Sequence, residues 1–231
     1  MRHGVCSPVK EPRSAEGIAE MQVTRLVLGA LDTNCWIVGD DAGGPRVVID
    51  PGDEAPRILD MLAGAAVAYV VLTHAHFDHI GAVADLLAAT SAPLAAHVDD
   101  AGSLASAETT GGAAFGFNHT APAPSILLTD GASLAVGAVT LTVLHTPGHT
   151  PGGMCLLATD GTGAAHLFSG DTLFSGSVGR TDFPGGNSRE LSRSIASQLS
   201  PLDGTTVVHP GHGPDTTIAR EGRLNPFWPR A

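Results

Sequence analysis

The alternation of apolar and polar positions divides the chain into short extended segments separated by helical ones. From Met21, the stretches QVTRLVLG, NCWIVGD and PRVVIDPG each end in Gly, Asp or Pro and predict a meander of antiparallel strands. In DEAPRILDMLAG, Ile58, Leu59 and Leu62 recur at helical spacing, and the apolar run VAYVVLTH that follows has the pattern of a strand buried on both faces. Residues 79–90 place Ile80, Val83, Leu86 and Leu87 on one side of a second helix, and PLAAH then predicts a strand that completes a βαβ unit. The second half repeats the style but not the sequence. SILLTDGASLAVGAVTLTVLHT predicts hairpin strands, and GGMCLLATD and AHLFSGD two more. Leu191, Ile195 and Leu199 mark a helix within 188–199, and TTVVHPGHG gives a last buried strand. Residues 99–125, rich in Gly, Ala, Pro and Thr, predict a long surface loop or lid. Strands, helix, strand, helix, written twice, predict an α/β fold in which two sheets pack face to face with helices outside, a four-layer αββα sandwich. Residues 1–20 read as a mobile tail and 21–231 as one catalytic domain.

Composition narrows the classes of function. With 43% hydrophobic and 15% charged residues over 231 positions, the chain can bury a sizeable core and lies far from disordered sequences. A net charge of −11 repels phosphate backbones and anionic lipids, so neither nucleic acid nor membrane is an expected partner. Every basic residue except Lys10 is arginine, which removes lysine chemistry from the body of the chain. Cys6, Cys35 and Cys155 form no CxxC and no framework, as in a reduced cytoplasmic protein. Neither a signal-peptide core nor an apolar stretch approaching the ~20 residues of a membrane span is present in the sequence.

The chemistry concentrates in Thr73-His74-Ala75-His76-Phe77-Asp78-His79, where a buried strand stops. A lone histidine is usually a satisfied structural group, but three imidazoles and a carboxylate on one turn can be aimed at a single point. That is the ligand set of Zn, Fe or Mn. Three more segments repeat the arrangement of a potential ligand beside glycine just after a strand: His149 in TPGHTPG, Asp171 in SGDT and His212 in PGHG.

These residues resemble the metallo-β-lactamase superfamily, whose motif is HxHxDH followed by a distant His, Asp and His. The likeness spans residues 21–226. Within the superfamily, IDPGD, THAHFDHIGA, TPGHTPG, SGDTLF, GRTDFPGG and PGHGPDTTI are most similar to the short, single-domain branch of glyoxalase II, the hydroxyacylglutathione hydrolases. The resemblance implies two divalent cations, zinc first and iron or manganese as other occupants. One would be held by His74, His76 and His149, the second by Asp78, His79 and His212, with Asp171 between them and Asp78 and Asp171 as catalytic carboxylates. Two cations ~3.5–4 Å apart lower the pKa of a shared water to ~7, which provides a nucleophile for a thioester carbonyl. A thiolate leaves without a strong general acid, which suits a chain whose one tyrosine, Tyr69, lies inside a strand. The implied substrate is a small acyl-thiol such as S-D-lactoylglutathione. The zinc β-lactamases with a second-site cysteine place a thiolate where this chain has Asp171, which weighs against antibiotic hydrolysis. Long glyoxalase II enzymes add a helical domain that helps bind glutathione, whereas only residues 213–231 follow His212 here, so the thiol carrier stays open.

Two rival readings remain beside this one. A persulfide dioxygenase of a related branch would hold one iron on His74, His149 and Asp171, and a non-catalytic scaffold would have lost ligands. The complete second set of Asp78, His79 and His212 favours hydrolysis. Asp50 in IDPG is either a carboxylate orienting a ligand histidine or a turn residue. Arg180 and Asp182 are expected either to pair and shape their loop or to help dock substrate, Cys155 to be buried and inert, and His97, His145, His166 and His209 to be structural.

Overall fold

Two six-stranded sheets form the centre of the computed structural model, which describes residues 19–229. The expected tail falls, through residue 18, outside the described residues. In the first sheet β1 (Met21–Leu28), β2 (Thr33–Asp40) and β3 (Arg46–Ile49) form the antiparallel meander, and β4 (Val67–Val71), β5 (Leu94–His97) and β6 (Ile126–Leu128) add in parallel. Helices α1 (Ala55–Leu62) and α2 (Val83–Thr90) make the crossovers, and the short α3 (Val98–Ala101) follows β5. The second sheet runs β7 (Ser133–Val136), β8 (Val139–His145), β9 (Met154–Thr159) and β10 (Ala165–Gly170) antiparallel. After a small hairpin, β11 (Leu173–Phe174) with β12 (Ser177–Val178), helix α4 (Ser188–Ser194) carries the chain to β13 (Val207–Pro210), which is parallel to β10. The edge strand β14 (Thr216–Thr217) and helix α5 (Ile218–Leu224) complete the fold.

Side chains on a strand alternate between faces, so a strand covered on both sides is apolar throughout. β2 is buried at all eight positions for this reason. Its Cys35 and Ile37 pack with Ile58, Leu62 and Leu86 under the helices, while Trp36 and Val38 pack with Val143, Leu156 and Phe168 between the sheets. On the far side, Cys155 and Leu167 meet Leu191, Ile195 and Ile218 of the outer helices. Three apolar layers between four layers of backbone make the αββα sandwich.

Four local features differ from the sequence expectation. Residues 79–90 do not form one helix: Phe77–His79 is a single 3-10 turn and α2 starts at Val83. Gly81 is pressed against the Gly52 carbonyl and His119, and the Ala82 amide bonds to the Pro51 carbonyl (3.0 Å), so the helix starts after this contact. Ile126–Leu128 does not belong to the second-half hairpins but extends the first sheet beside β5. Residues 99–125 are less loop-like than expected, with 3-10 turns at Gly102–Ala105 and Gly112–Phe115 and with Leu104 and Thr110 buried. Beyond Ser194 the predicted helix widens into a π turn, Ile195–Leu199, that still buries Ile195 and Leu199. Among the described residues no helix is long and apolar enough to cross a membrane.

Leu156 is fully buried between the sheets, whereas Leu127 on the edge strand is 57% exposed. Truncation to alanine should cost about 2–5 kcal/mol at Leu156 and less than about 1 kcal/mol at Leu127, read from denaturant unfolding midpoints.

Candidate metal centre

The carboxyl ends of β4, β8, β10 and β13 lie along one edge of the sandwich, and the turns that leave them carry the seven residues singled out from the sequence. The two sheets are stitched there by the Met154 amide, which donates to the Thr73 carbonyl (2.9 Å). His74, His76 and His149 form one group of converging donor atoms, and Asp78, His79 and His212 a second. Asp171 stands between them. Its Oδ2 is 3.6 Å from His149 Nε2 and 3.7 Å from His212 Nε2, and its Oδ1 is 3.5 Å from His79 Nε2. A Cβ at position 211 would run into Asp171 Oδ1 and His79, so the glycine before His212 is required by this close approach.

Four of the five imidazoles, all but His76, are oriented by the bond their Nδ1 makes. His149 Nδ1 donates to the Arg180 carbonyl (2.7 Å) and His212 Nδ1 to the Leu31 carbonyl (3.1 Å). His79 Nδ1 donates to Asp50 Oδ2 (3.0 Å), and His74 Nδ1 donates to the Thr73 hydroxyl (3.1 Å), which in turn donates to the same Asp50 oxygen (2.6 Å). Asp50 therefore fixes two histidines at once, the first of the two roles open to it from sequence. Residues outside the motifs hold the turns. Asp100, buried at the start of the segment expected to be a lid, accepts from the Ala75 amide (3.0 Å), the Thr150 hydroxyl (2.8 Å) and the Gly152 amide (2.6 Å), tying the His76 turn to the His149 turn. Asn34 donates to the carbonyls of Pro210 and Gly213, 2.9 Å each, on either side of His212.

With the Nδ1 protons so assigned, His149 Nε2 presents a lone pair to His74 Nε2 at 3.2 Å and to His76 Nδ1 at 2.8 Å. Lone pairs held that close repel unless a cation or a proton lies between them. His79 Nε2 and Asp171 Oδ1 are both buried without a hydrogen-bond partner, a costly state unless something else satisfies them. Two orphaned donors and a nitrogen and carboxylate set of this kind fit divalent metal. The electrostatics agree. Burial, with the imidazoles of His79 and His149, holds His74 well below the ordinary histidine range, and burial with His149 takes His76 down to about 3, so both rings stay neutral and each keeps one nitrogen lone pair. Burial opposes a charge on His79, but Asp78, Asp171 and Asp50 outweigh it and raise its pKa to about 10, the mark of a pocket that attracts positive charge.

Of the other described histidines, His119 bonds through Nδ1 to the Phe77 carbonyl (3.1 Å) and four form two separate pairs. His97 and His145 stack face to face at 3.9 Å, and although Asp99 is near, His145 Nε2 is committed to the Pro151 carbonyl (3.0 Å) and His97 Nδ1 to the Asp99 amide (3.3 Å). His166 and His209 bond at 2.8 Å, and His209 stacks on Phe168 and lies tilted against Trp36. Cys155 is buried with its thiol pushed up to about 11 by burial. Arg180 pairs with Asp182 through two 2.8 Å bonds and lies 3.7 Å over the Phe183 ring.

Comparison with known proteins gives the family. A probable metallo-hydrolase of Bacillus subtilis, YqgX, is 37% identical, covering 90% of this chain and 97% of its own length. The hydroxyacylglutathione hydrolase GloC of Haemophilus influenzae is 33% identical over 90% of this chain and 98% of its own. Among solved structures, the BLEG-1 B3 metallo-beta-lactamase superposes with a TM-score of 0.83 at 37% identity, covering 89% of this chain and 99% of that one. TTHA1623 in a di-iron-bound form does so with 0.78 at 40%, covering 89% and 100%. The family model that matches covers residues 28–212, and the chain belongs to the metallo-beta-lactamase superfamily.

Proposed function

We propose that this chain is a binuclear-metal acyl-thiol hydrolase of the hydroxyacylglutathione hydrolase type, acting in the reducing cytoplasm on a small thioester such as S-D-lactoylglutathione. The observation that carries the proposal is the place of Asp171, whose two oxygens reach donor atoms of both histidine groups. His74, His76 and His149 would hold one divalent cation and Asp78, His79 and His212 the other, with Asp171 shared. When bound, such a pair polarises a carbonyl and acidifies a water to near neutrality. The chain's own residues then have three tasks. Asp50, Arg180 and Leu31 keep the imidazole tautomers correct through Nδ1. Asp78, with Thr33 donating to its Oδ2 (3.1 Å), and Asp171 set the carboxylate side of the site and are the groups placed to hold the water and its proton. The apolar wall of Phe77 and Phe117 limits solvent on the substrate side.

The leaving group selects the substrate. Among the described residues lining the site no lysine or tyrosine stands ready as a general acid, and Tyr69 packs in the inter-sheet core. An amine or alkoxide would need a proton to depart, while a thiol of pKa ~8.5 departs as thiolate. A GloC-like activity fits this constraint. Iron, as in the di-iron TTHA1623 structure, and manganese suit the ligands as zinc does. Buried free Cys35 and Cys155 are compatible with a reducing compartment.

Metal-loaded protein should release thiol from S-D-lactoylglutathione and stop when a chelator is added, followed by loss of thioester absorbance. Oxygen uptake with glutathione persulfide would instead support the one-iron dioxygenase, and opening of a chromogenic cephalosporin a lactamase. Asp171→Ala and His76→Ala should lose bound metal and at least about 10²-fold in kcat/KM together, while His166→Ala stays within about twofold of wild type, measured by metal analysis beside steady-state kinetics. Full turnover in Asp171→Ala would remove the shared-ligand role. Asp50→Asn should weaken metal affinity about 10–100-fold with the fold intact, read by chelator competition.

A further inference from the structure

The chemistry of the groove beside the metal centre bears on which thiol the substrate carries. A cavity of about 230 Å³ opens directly on His76, Asp171 and His212, and a second of about 390 Å³ meets it at His76 and Phe183. Aromatic residues are scarce in this chain, 4% of the sequence with seven phenylalanines, yet four of those seven, Phe77, Phe115, Phe117 and Phe183, wall the first cavity. They form a continuous surface: Phe77 lies 5.7 Å from Phe115 and 5.0 Å from Phe117, and Phe115 lies 6.0 Å from Phe183, centroid to centroid. Phe115 is 53% exposed, an apolar ring left facing the groove rather than folded into the core. Phe77 beneath them is buried, so the rings offered to a ligand are those of Phe115, Phe117 and Phe183.

The charges point the same way. Glutathione brings two carboxylates, which a binding groove must pair or leave in water. Among the described residues lining the two cavities, Arg180 is the one permanent cation. Its Nε and Nη2 edge is already closed by Asp182 at 2.8 Å on both bonds, and its face is stacked on Phe183. Glu108 lines the outer cavity with a further negative charge. A glutathione thioester, with two carboxylates and one ammonium, would bring both carboxylates to a single arginine that is already paired, leaving only its ammonium to meet Glu108. An uncharged apolar thiol would cover the exposed rings at about 25 cal/mol per Å².

Resting on the acyl-thiol reading above, we infer that the thiol half of the substrate is uncharged and apolar, aromatic or alkyl, and is bound against Phe115 and Phe183, with Asp182 acting as a specificity residue that withholds Arg180 from anionic thiols.

The test compares D-lactoyl thioesters of 2-phenylethanethiol, N-acetylcysteamine and glutathione, each kcat/KM divided by the ester's hydroxide-catalysed rate to remove intrinsic reactivity. The phenylethanethiol ester is expected to exceed the glutathione ester at least tenfold, with N-acetylcysteamine between them. Phe115→Ala and Phe183→Ala should shrink that ratio severalfold through KM while kcat holds. Asp182→Asn, which frees Arg180, should raise kcat/KM severalfold for the glutathione ester alone. A glutathione ester turned over as well as or better than the apolar one overturns the inference and leaves the acyl-thiol reading standing. Failure of all three esters overturns that reading. In that event calorimetric titration of the metal-loaded protein with the methyl thioethers of phenylethanethiol and of glutathione decides the groove: binding of the apolar thioether alone supports it, and equal or stronger binding of S-methylglutathione, or binding of neither, refutes it.

Discussion

Imidazole nitrogens pressed together at 2.8 and 3.2 Å, with carboxylates among them, are a repulsive and poorly solvated arrangement, and the rest of the molecule is organised around holding it. A buried polar group without a partner costs about 1–3 kcal/mol. The site keeps two such atoms, His79 Nε2 and Asp171 Oδ1, facing one another at 3.5 Å. No single strand or helix could impose this. It takes the ends of strands from both sheets, converging on one edge, with the inter-sheet core of Trp36, Leu156 and Phe168 setting the distance between them.

Orientation is maintained by a small number of acceptors that face away from the centre. Asp50 carries the greatest share. It sits at φ 52°, a left-handed conformation that an aspartate tolerates better than most residues but not freely. What holds it there is its own carboxylate, which accepts the Thr73 amide at 2.7 Å, the Thr73 hydroxyl at 2.6 Å and His79 Nδ1 at 3.0 Å. The backbone cost is thus offset by bonds that also select the tautomers of His74 and His79. On the other side Asp100 does for the turns what Asp50 does for the rings, joining the His76 and His149 segments without approaching the metal side of either.

The legible parts of the sequence were those whose signal is local. HAHFDH compresses four donors into one turn, and His149, Asp171 and His212 follow strands that periodicity identifies, so the seven candidate residues and the layer order could be read before any coordinates. The supports could not. The carbonyls of Leu31 and Arg180 accept through backbone and leave no trace in residue type. Asp100 lies where 99–125 loses its periodicity, and nothing distinguishes it from the exposed Asp99 beside it. The break before Val83 comes from a contact between Gly81 and a distant glycine carbonyl. The transfer of Ile126–Leu128 to the first sheet is likewise a choice of partner, which an apolar pattern does not encode.

The same unpatterned segment supplies Phe115 and Phe117 to the cavity beside the converging histidines. The ligand turns are constrained from both sides: a Cβ at Gly211 would strike Asp171, and altering Asp50 would release two imidazoles. Residues 99–125 carry fewer such obligations: Asp100, Leu104, Thr110, Gly112 and Ala121 are buried, and His119 bonds the Phe77 carbonyl. They are free to vary in what they present to the groove while the reacting edge stays fixed. Specificity can therefore be rewritten in that segment, and in the Arg180 to Phe183 turn facing it, at little cost to the fold.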